Sequence, residues 1–179
     1  YRYVRIFTSD ASGEDVNPLT GHLTAVRERT PDERARHTAG ARMRWQVTSE
    51  LFLHGGYRGY LDSWGLTAHT ATARLLWSPT RTWSLTVRGR GHLQGGADFY
   101  QARYRSFPTV PALRTADKEL GPLWTGLVGC HVEWSPLIRW AHSLHVGVGA
   151  DWLHIRYLDF PFLDRRNALM LSFDLSLEL

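Results

Sequence analysis

The chain has 179 residues, 43% hydrophobic and 12% aromatic, with a formal net charge of +4 at pH 7. This size suits one β-domain, and the absence of any run of 18 apolar residues excludes a transmembrane helix. Because the arginines are dispersed singly rather than gathered in a basic stripe, the positive charge does not indicate nucleic-acid binding.

The first part of the chain predicts strand fragments around a long loop. Residues 1–8 alternate like the end of a strand, and residues 9–33 are rich in turn formers and charge, which predicts a loop. Residues 34–47 then alternate again, with Met43 and Trp45 on one face and Arg42 and Arg44 on the other. A tight turn at 48–50 is expected to follow.

The middle of the chain carries the clearest strand signals. Residues 51–62, 67–77 and 83–94 alternate apolar with polar side chains, and the last two runs meet at the turn Ser78-Pro79-Thr80-Arg81. A strand of about 12 residues is longer than usual for a soluble sheet, and it suits the roughly 9–11 tilted residues that cross a membrane.

The rest of the chain repeats the pattern after a second long loop, residues 95–120, which holds two prolines. Strands are predicted over 124–134 and 140–152, joined by the turn 135–138. A loop of intermediate length leads to an uninterrupted amphipathic last strand over 168–179, similar to the assembly signal of exported barrels.

Loop lengths and aromatic positions indicate one topology. The tight turns 48–50, 78–81 and 135–138 share one end of the strands, and the two longest loops lie at the opposite end, as in outer-membrane barrels with short periplasmic turns. A membrane girdle is expected from the tryptophans at the strand ends: Trp45, Trp77, Trp83, Trp134, Trp140 and Trp152. We therefore expect an all-β, transmembrane, antiparallel up-and-down β-barrel, integral in the outer membrane among its lipids. The competing interpretation is a soluble all-β domain with tryptophans in its core.

Three ordered blocks resemble a known family. They are Pro31-Asp32-Glu33-Arg34-Ala35-Arg36-His37, Tyr57-Arg58-Gly59-Tyr60-Leu61-Asp62-Ser63-Trp64-Gly65, and Arg88-Gly89-Arg90-Gly91-His92 with Gln94 and Ala97-Asp98-Phe99-Tyr100. They are similar to successive blocks of an uncharacterised Gram-negative outer-membrane β-barrel family, a domain of unknown function. The resemblance implies location and architecture but no activity. Family members are longer at the N-terminus, so residues 1–179 are expected to form a single domain showing about eight strands, the C-terminal part of a larger barrel.

The polar side chains of the strands give the candidate site residues. Those expected to line the lumen are Arg42, Arg44, Arg58, Arg74, Arg88, Arg90, His92 and Gln94. Rings of arginine favour anions, so an open lumen would select them. Alternatively, the arginines pair with inward acids and plug the barrel.

Two further clusters of polar and aromatic residues are candidate sites. Asp62, Trp64, Asp98, Phe99 and Tyr100 are expected together at the outer mouth, where they either bind a ligand or order two loops, the latter being favoured. A His131, Glu133 and His145 group is a chemically possible metal site, but cross-strand polar pairs are ordinary, so no metal is predicted.

The sequence does not favour catalysis. No GxSxG elbow occurs, and neither His69 nor His142 has a serine and a carboxylate arranged around it. Cys130 has no disulfide partner and lies among apolar residues, which predicts a packed or lipid-facing side chain. We expect no cofactor and a passage or export channel acting with periplasmic or lipoprotein partners. The alternative is a non-conducting barrel that anchors or encloses a partner.

Overall fold

The structure is a computed structural model that describes residues 3–7, 15–16, 23–105, 110–138 and 143–178. Trp140, His142 and the end of the last strand at Leu179 lie outside the described residues. The described residues are all-β and contain no helix. They therefore include no helix that is long and apolar enough to cross a membrane. The strands are β1 (Tyr3–Phe7), β2 (Asp15–Val16), β3 (Leu23–Arg27), β4 (Arg36–Gln46), β5 (Leu51–Asp62), β6 (Thr67–Trp77), β7 (Trp83–Gln94), β8 (Tyr104–Arg105), β9 (Leu123–Trp134), β10 (Ser143–Tyr157) and β11 (Arg165–Glu178).

A small sheet forms at the start of the chain, in the order β2-β3-β1-β8. The strand predicted at 1–8 is present as β1, but it pairs in parallel with β3 and antiparallel with β8 rather than joining the long strands. The long loop predicted over 9–33 is also wrong, because β2 and β3 lie within it. Strands this short carry too little alternation to be recognised from sequence.

The long strands form one seven-stranded sheet in the order β11-β10-β9-β7-β6-β5-β4, with antiparallel pairing throughout. The predicted bounds of β5, β6 and β7 are confirmed. The loop predicted over 154–167 is shorter than expected, since β10 continues to Tyr157 and β11 begins at Arg165. Residues 154–157 lack an apolar alternation, but pairing with Leu123–Leu127 extends the strand.

The two ends of this sheet differ. The connecting residues 47–50, 78–82 and 135–138 lie at what we name the turn end, and 63–66, 95–105, 110–122 and 158–164 lie at the loop end. Buried side chains gather at the loop end, where they come from both the sheet and the loops: Val26, Leu66, Ala68, Ala97, Tyr104, Leu123 and Tyr157.

The sheet itself has one apolar and one polar face, as the alternation predicts. The apolar face is exposed along its whole length, from Met43 and Trp45 in β4 to Leu171 and Phe173 in β11, with exposed fractions of 55% or more at these four residues. The sheet is not closed into a barrel: within the described residues, β4 and β11 each have one edge without a partner strand.

Candidate functional site

Strand register gathers the predicted arginines on the polar face. One row across the sheet holds Arg44, His54, Arg74 and Arg88 in β4 to β7, and the next row holds Arg42, Gly56, Thr72 and Arg90. Residues directly opposite in an antiparallel pair share a face, so these side chains form one surface. Arg74 and Arg88 are direct cross-strand neighbours, a like-charge contact that a sheet tolerates only with some compensation.

The compensation at Arg88 is an ion pair with Asp151 of β10. Arg88 donates from Nε to Asp151 Oδ1 at 2.7 Å and from Nη2 to Oδ2 at 2.5 Å, a two-point contact. The pair reaches across β9 at Gly129, where an added Cβ would overlap the Asp151 carboxylate. Glycine at position 129 is therefore needed for the two side chains to meet.

The other arginines of the face have no such partner. Among the described residues, no carboxylate forms an ion pair with Arg42, Arg44, Arg58, Arg74 or Arg90. Arg42, Arg44, Arg74 and Arg90 surround a cavity of about 450 Å³ whose floor includes Gly56 and Thr72. We name this cavity the arginine pocket. Its charge is uncompensated from within the sheet, which makes it suited to anionic groups.

The remaining predicted lumen residues lie nearer the loop end. Arg58, His92 and Gln94 line a separate cavity of about 490 Å³. The Thr70 hydroxyl lies 2.9 Å from His92 Nδ1, and Gln94 Nε2 donates to the carbonyl oxygens of Glu119 and Gly121 at 2.8 and 3.0 Å. The segment 117–121 is thereby held over the polar face at this end.

That segment is part of a larger assembly, which we name the loop cap: residues 28–34, 62–66, 95–104, 110–122 and 158–160. Asp62 is its centre, with a fully shielded carboxylate. It accepts from Arg34 Nε at 2.8 Å and Nη2 at 2.5 Å, from the Tyr60 hydroxyl at 2.8 Å, and from the Trp64 and Leu66 amides at 2.9 and 3.1 Å. These contacts satisfy the carboxylate oxygens with donors from the protein itself.

The other predicted mouth residues also contact one another in the loop cap. The Trp64 and Phe99 rings meet edge to face at 5.3 Å, the Arg34 guanidinium lies 4.3 Å from the Trp64 ring, and the Asp98 amide donates to the Trp64 carbonyl at 2.9 Å. Gly65, the one described residue with positive φ (77°), turns the chain beside Asp98. The predicted residues therefore lie together, and their contacts link the two loops to each other.

Tyr100 joins this cap to the β10–β11 loop. Its hydroxyl donates to the Asp159 carbonyl at 3.1 Å, and burial, followed by the charges of Asp159 and Asp117, raises its pKa to about 12. Burial also raises the pKa of Tyr104, whose hydroxyl donates to the carbonyls of Phe99 and Thr115. Both phenols are therefore neutral hydrogen-bond donors near neutral pH.

The six tryptophans of the described long strands lie on the apolar face. Trp45, Trp77, Trp83 and Trp134 are exposed at the turn end, and the Trp83 and Trp134 rings are 6.1 Å apart. Trp124 lies near the loop end. Trp152 pairs with Val128 and Leu169 and so lies farther from the strand end than expected, because β10 continues to Tyr157.

The histidine groups form pairs rather than a cluster. His145 Nδ1 lies 3.1 Å from Glu133 Oε1, whereas His131 Nε2 lies 3.9 Å from Asp174 Oδ2. No group of three or more metal-ligating side chains occurs in the described part of the chain. His69 Nδ1 is 2.5 Å from the Tyr57 hydroxyl, and Cys130 is exposed.

Sequence reasoning missed Arg34 and Asp151, the partners that define the two ion pairs. Alternation placed Asp151 on the polar face, but β7 and β9 are separated in sequence by the long loop that contains β8. The predicted up-and-down order makes these strands neighbours, but only the strand register shows that Asp151 lies across Gly129 from Arg88.

These features define an all-β protein whose main element is a seven-stranded antiparallel sheet with one apolar face and one arginine-rich face. A family model matches residues 1–148, and the chain belongs to that family, described as "Protein of unknown function (DUF3570)". The expectation of an uncharacterised family is confirmed. No curated protein and no solved structure matches the chain.

Proposed function

We propose that the seven-stranded sheet is the wall of a transmembrane β-barrel in the Gram-negative outer membrane, with the apolar face toward lipid and the polar face toward the lumen. The exposed apolar face supports this proposal. Monomeric soluble proteins rarely expose apolar patches beyond a few hundred Å², and here large apolar side chains are exposed on all seven strands of one face. Hydrocarbon is a solvent that covers such a face along its full length.

The dimensions of the face fit a bilayer. Trp83 and Trp134 pair near the turn end, and Leu93 and Trp124 pair near the loop end of the same two strands. The stretch from Trp83 to Leu93 is roughly 33 Å long at about 3.3–3.4 Å per residue. At a tilt of about 35–45°, it rises about 25 Å, the height of the apolar band of a transmembrane barrel.

Closure places a condition on the rest of the wall. With seven antiparallel strands, β4 and β11 run in the same direction. Pairing them with each other would make a parallel contact, so an antiparallel barrel closes only with an odd number of further strands between these edges. Two copies related by an axis along the barrel would also meet in parallel. The proposal therefore requires strands beyond the seven described.

The function we propose for this barrel is passage or export of solutes through an arginine-lined lumen, together with periplasmic or lipoprotein partners. The observation that carries this proposal is the set of arginines without carboxylate partners around the arginine pocket. Unpaired charges of this kind cost stability, so we expect them to serve a function. A pathway for charged solutes is such a function. The lumen would attract anions.

The second candidate is a non-conducting barrel that anchors or encloses a partner. The loop cap favours it, because Gln94 holds residues 117–121 over the polar face and Asp62 fixes the neighbouring loop. A cap held by this many contacts would narrow one mouth of the lumen. A filled lumen and an ordered mouth are what a scaffold needs.

Conductance in planar lipid bilayers separates the two candidates. The protein is expected to give steady conductance with anion preference, and Arg42→Glu with Arg90→Glu is expected to reverse that preference. Arg81→Glu, in the turn 78–82, is the matched control and should leave selectivity unchanged. Folded protein that conducts nothing would favour the scaffold, and conductance with unaltered selectivity in the double variant would remove the arginine pocket from the pathway.

A further inference from the structure

Two arginines interrupt the apolar face of the seven-stranded sheet. They are Arg156 in β10 and Arg165 in β11, which lie directly opposite each other in the strand register. Every other residue that the described strands of this sheet place on the face is apolar, glycine or uncharged polar, with histidine counted as neutral. A charge on a face suited to hydrocarbon is costly, so we expect this pair to serve a function.

The pair lies at the edge of the apolar face and not in its middle. Arg156 is opposite Trp124, which is itself opposite Leu93. The row that these residues form is about 25 Å above the row of Trp83 and Trp134, which is the full height of the apolar band of a transmembrane barrel. On the proposed wall, the two guanidinium groups therefore lie at the level of the lipid headgroups.

The two guanidinium groups have no counter-charge from the protein. Directly opposed residues have their Cβ atoms about 4.5–5.5 Å apart, and like charges at that separation repel each other. Among the described residues, no carboxylate forms an ion pair with Arg156 or Arg165, although Asp159 and Asp164 lie in the adjoining loop. Both arginines are exposed. They suit one phosphate group, because its oxygens can accept hydrogen bonds from both guanidinium groups.

The layer next to the pair is aromatic and polar. The His154 ring lies 5.4 Å from the Trp124 ring and 5.6 Å from the Trp152 ring, and its Nδ1 is 2.7 Å from Asn167 Oδ1. Farther toward the turn end the face is apolar, with Leu171 76% exposed. From the loop end inward, the surface is thus cationic, then aromatic, then apolar. A membrane lipid presents its headgroup, interfacial region and acyl chains in the matching order.

We propose that Arg156 and Arg165 bind the phosphate headgroup of one lipid molecule, whose acyl chains lie along β10 and β11 toward Leu171. This inference rests on the transmembrane wall proposed above and not on passage through the lumen. A free phosphate ion would gain the two charge contacts but would cover no apolar surface. A lipid gains both, because its chains remove the apolar side chains beneath the arginines from water.

Native mass spectrometry of the whole protein, folded in a neutral detergent and titrated with single lipids, tests the inference. One molecule of phosphatidic acid, a phosphate monoester, is expected to bind roughly 3- to 10-fold more tightly than phosphatidylcholine, as two partly exposed charge contacts would give. Arg156→Gln with Arg165→Gln should abolish that preference. Arg81→Gln with Arg166→Gln is the matched control: it removes the same charge from exposed positions at the turn end and on the polar face, and the preference should remain.

The contrary outcomes are distinct from one another. Equal binding of the two lipids, or a preference that survives in Arg156→Gln with Arg165→Gln, would mean that the two arginines only extend into water. Calorimetry that finds inorganic phosphate bound as tightly as phosphatidic acid would make the site one for free phosphate and overturn the lipid. Protein that inserts into phosphatidylcholine vesicles but shows no lipid preference in detergent would keep the wall and lose this site. Protein that inserts into no vesicle would overturn both proposals.

Discussion

The loop cap and the seven-stranded sheet hold their structure by different means. In the loop cap, polar groups are shielded and bonded to one another, as at Asp62, whose fully shielded carboxylate accepts from two side chains and two backbone amides. In the sheet, the apolar face is open, and Leu171 in β11 is 76% exposed. One region has a core and the other has only its backbone ladder and cross-strand pairs.

The difference concerns the solvent that each region needs. A hydrogen-bonded network around a carboxylate folds in contact with water, because its charged group finds compensation within the cap. A sheet with one uncovered apolar face gains free energy only when something apolar covers that face, at roughly 25 cal/mol per Å² removed from water. The same chain thus combines a loop cap that is compatible with water and a sheet whose apolar face needs an apolar cover.

The largest expected effect is on the loop cap. Asp62→Ala leaves the Arg34 guanidinium and the Trp64 and Leu66 amides without their acceptor, and removing one partner of a buried ion pair costs about 3–5 kcal/mol. We expect that loss in the free energy of unfolding measured in detergent micelles. Asp32→Ala, at an exposed position of the same cap, should change it by less than about 0.5 kcal/mol.

If both variants unfold with the same free energy as the original protein, the carboxylate does not hold the cap. A more selective readout is the part of the tryptophan emission that Trp64→Phe removes, because Trp64 lies against Arg34 and Phe99. A shift of that emission in Asp62→Ala, with the β-sheet circular dichroism kept, would locate the damage in the cap rather than the sheet.

The next effect tests the sheet, using two neighbouring residues on opposite faces. Val128 is 59% exposed on the apolar face, and Leu127 lies on the polar face opposite Arg90. In lipid, Val128→Arg is expected to cost about 2–4 kcal/mol because it places a charge in hydrocarbon. Leu127→Arg should cost less, since the membrane proposal keeps this charge in an aqueous lumen.

The matched measurement is the free energy of folding into vesicles for both variants. A soluble sheet would reverse the expectation: Val128→Arg would be nearly neutral as an exposed surface substitution. Equal costs for the two variants would mean that the two faces meet the same solvent, and the membrane proposal would fail.

The sheet was largely predictable from sequence, and the reason is local. In β5, β6 and β7, the side-chain period of two runs unbroken for 11 or 12 residues between turn formers. The small sheet was not predictable, because β1 and β3 are only 5 residues each and pair through backbone contacts between distant segments. The extension of β10 to Tyr157 likewise depends on its partner β9.

The candidate site was predictable to the level of a face but not of a contact. The alternation of side chains along each strand is enough to put Arg42, Arg74, Arg88 and Arg90 on the polar face. The choice between an unpaired and a paired arginine depends on strand register, which brings Asp151 to Arg88 across Gly129 and gives Arg42 no acid among the described residues.

A smaller effect is expected at the ion pair between Arg88 and Asp151. Arg88→Ala and Asp151→Ala, combined in a double-mutant cycle, should give a coupling of about 0.2–1 kcal/mol, because the Arg88 side chain is 51% exposed and water screens the pair. Unfolding in micelles at low and high salt measures it, and the coupling should fall with salt. A coupling well above this range would mean that the sheet contains a shielded polar core like that of the loop cap.

The smallest effect lies at alkaline pH and again separates the two regions. Burial raises the pKa of Tyr100 to about 12, above its usual value near 10 in an unfolded chain. The unfolded state therefore loses its proton first, so the contribution of this phenol to stability is complete below pH 10 and declines as the pH rises toward about 12. Titration followed by tyrosinate absorbance and by Trp64 emission should show the cap loosening in this window, and Tyr100→Phe should weaken that dependence. Burial also raises the pKa of Tyr104, so stability should still decline with rising pH, to a smaller extent, in Tyr100→Phe. The emission of each tryptophan is taken as the part that its replacement by Phe removes. If the Trp83 part, at the turn end, changes over the same pH range as the Trp64 part, the cap and the sheet unfold as one unit, and the contrast between them is one of composition rather than of independent stability.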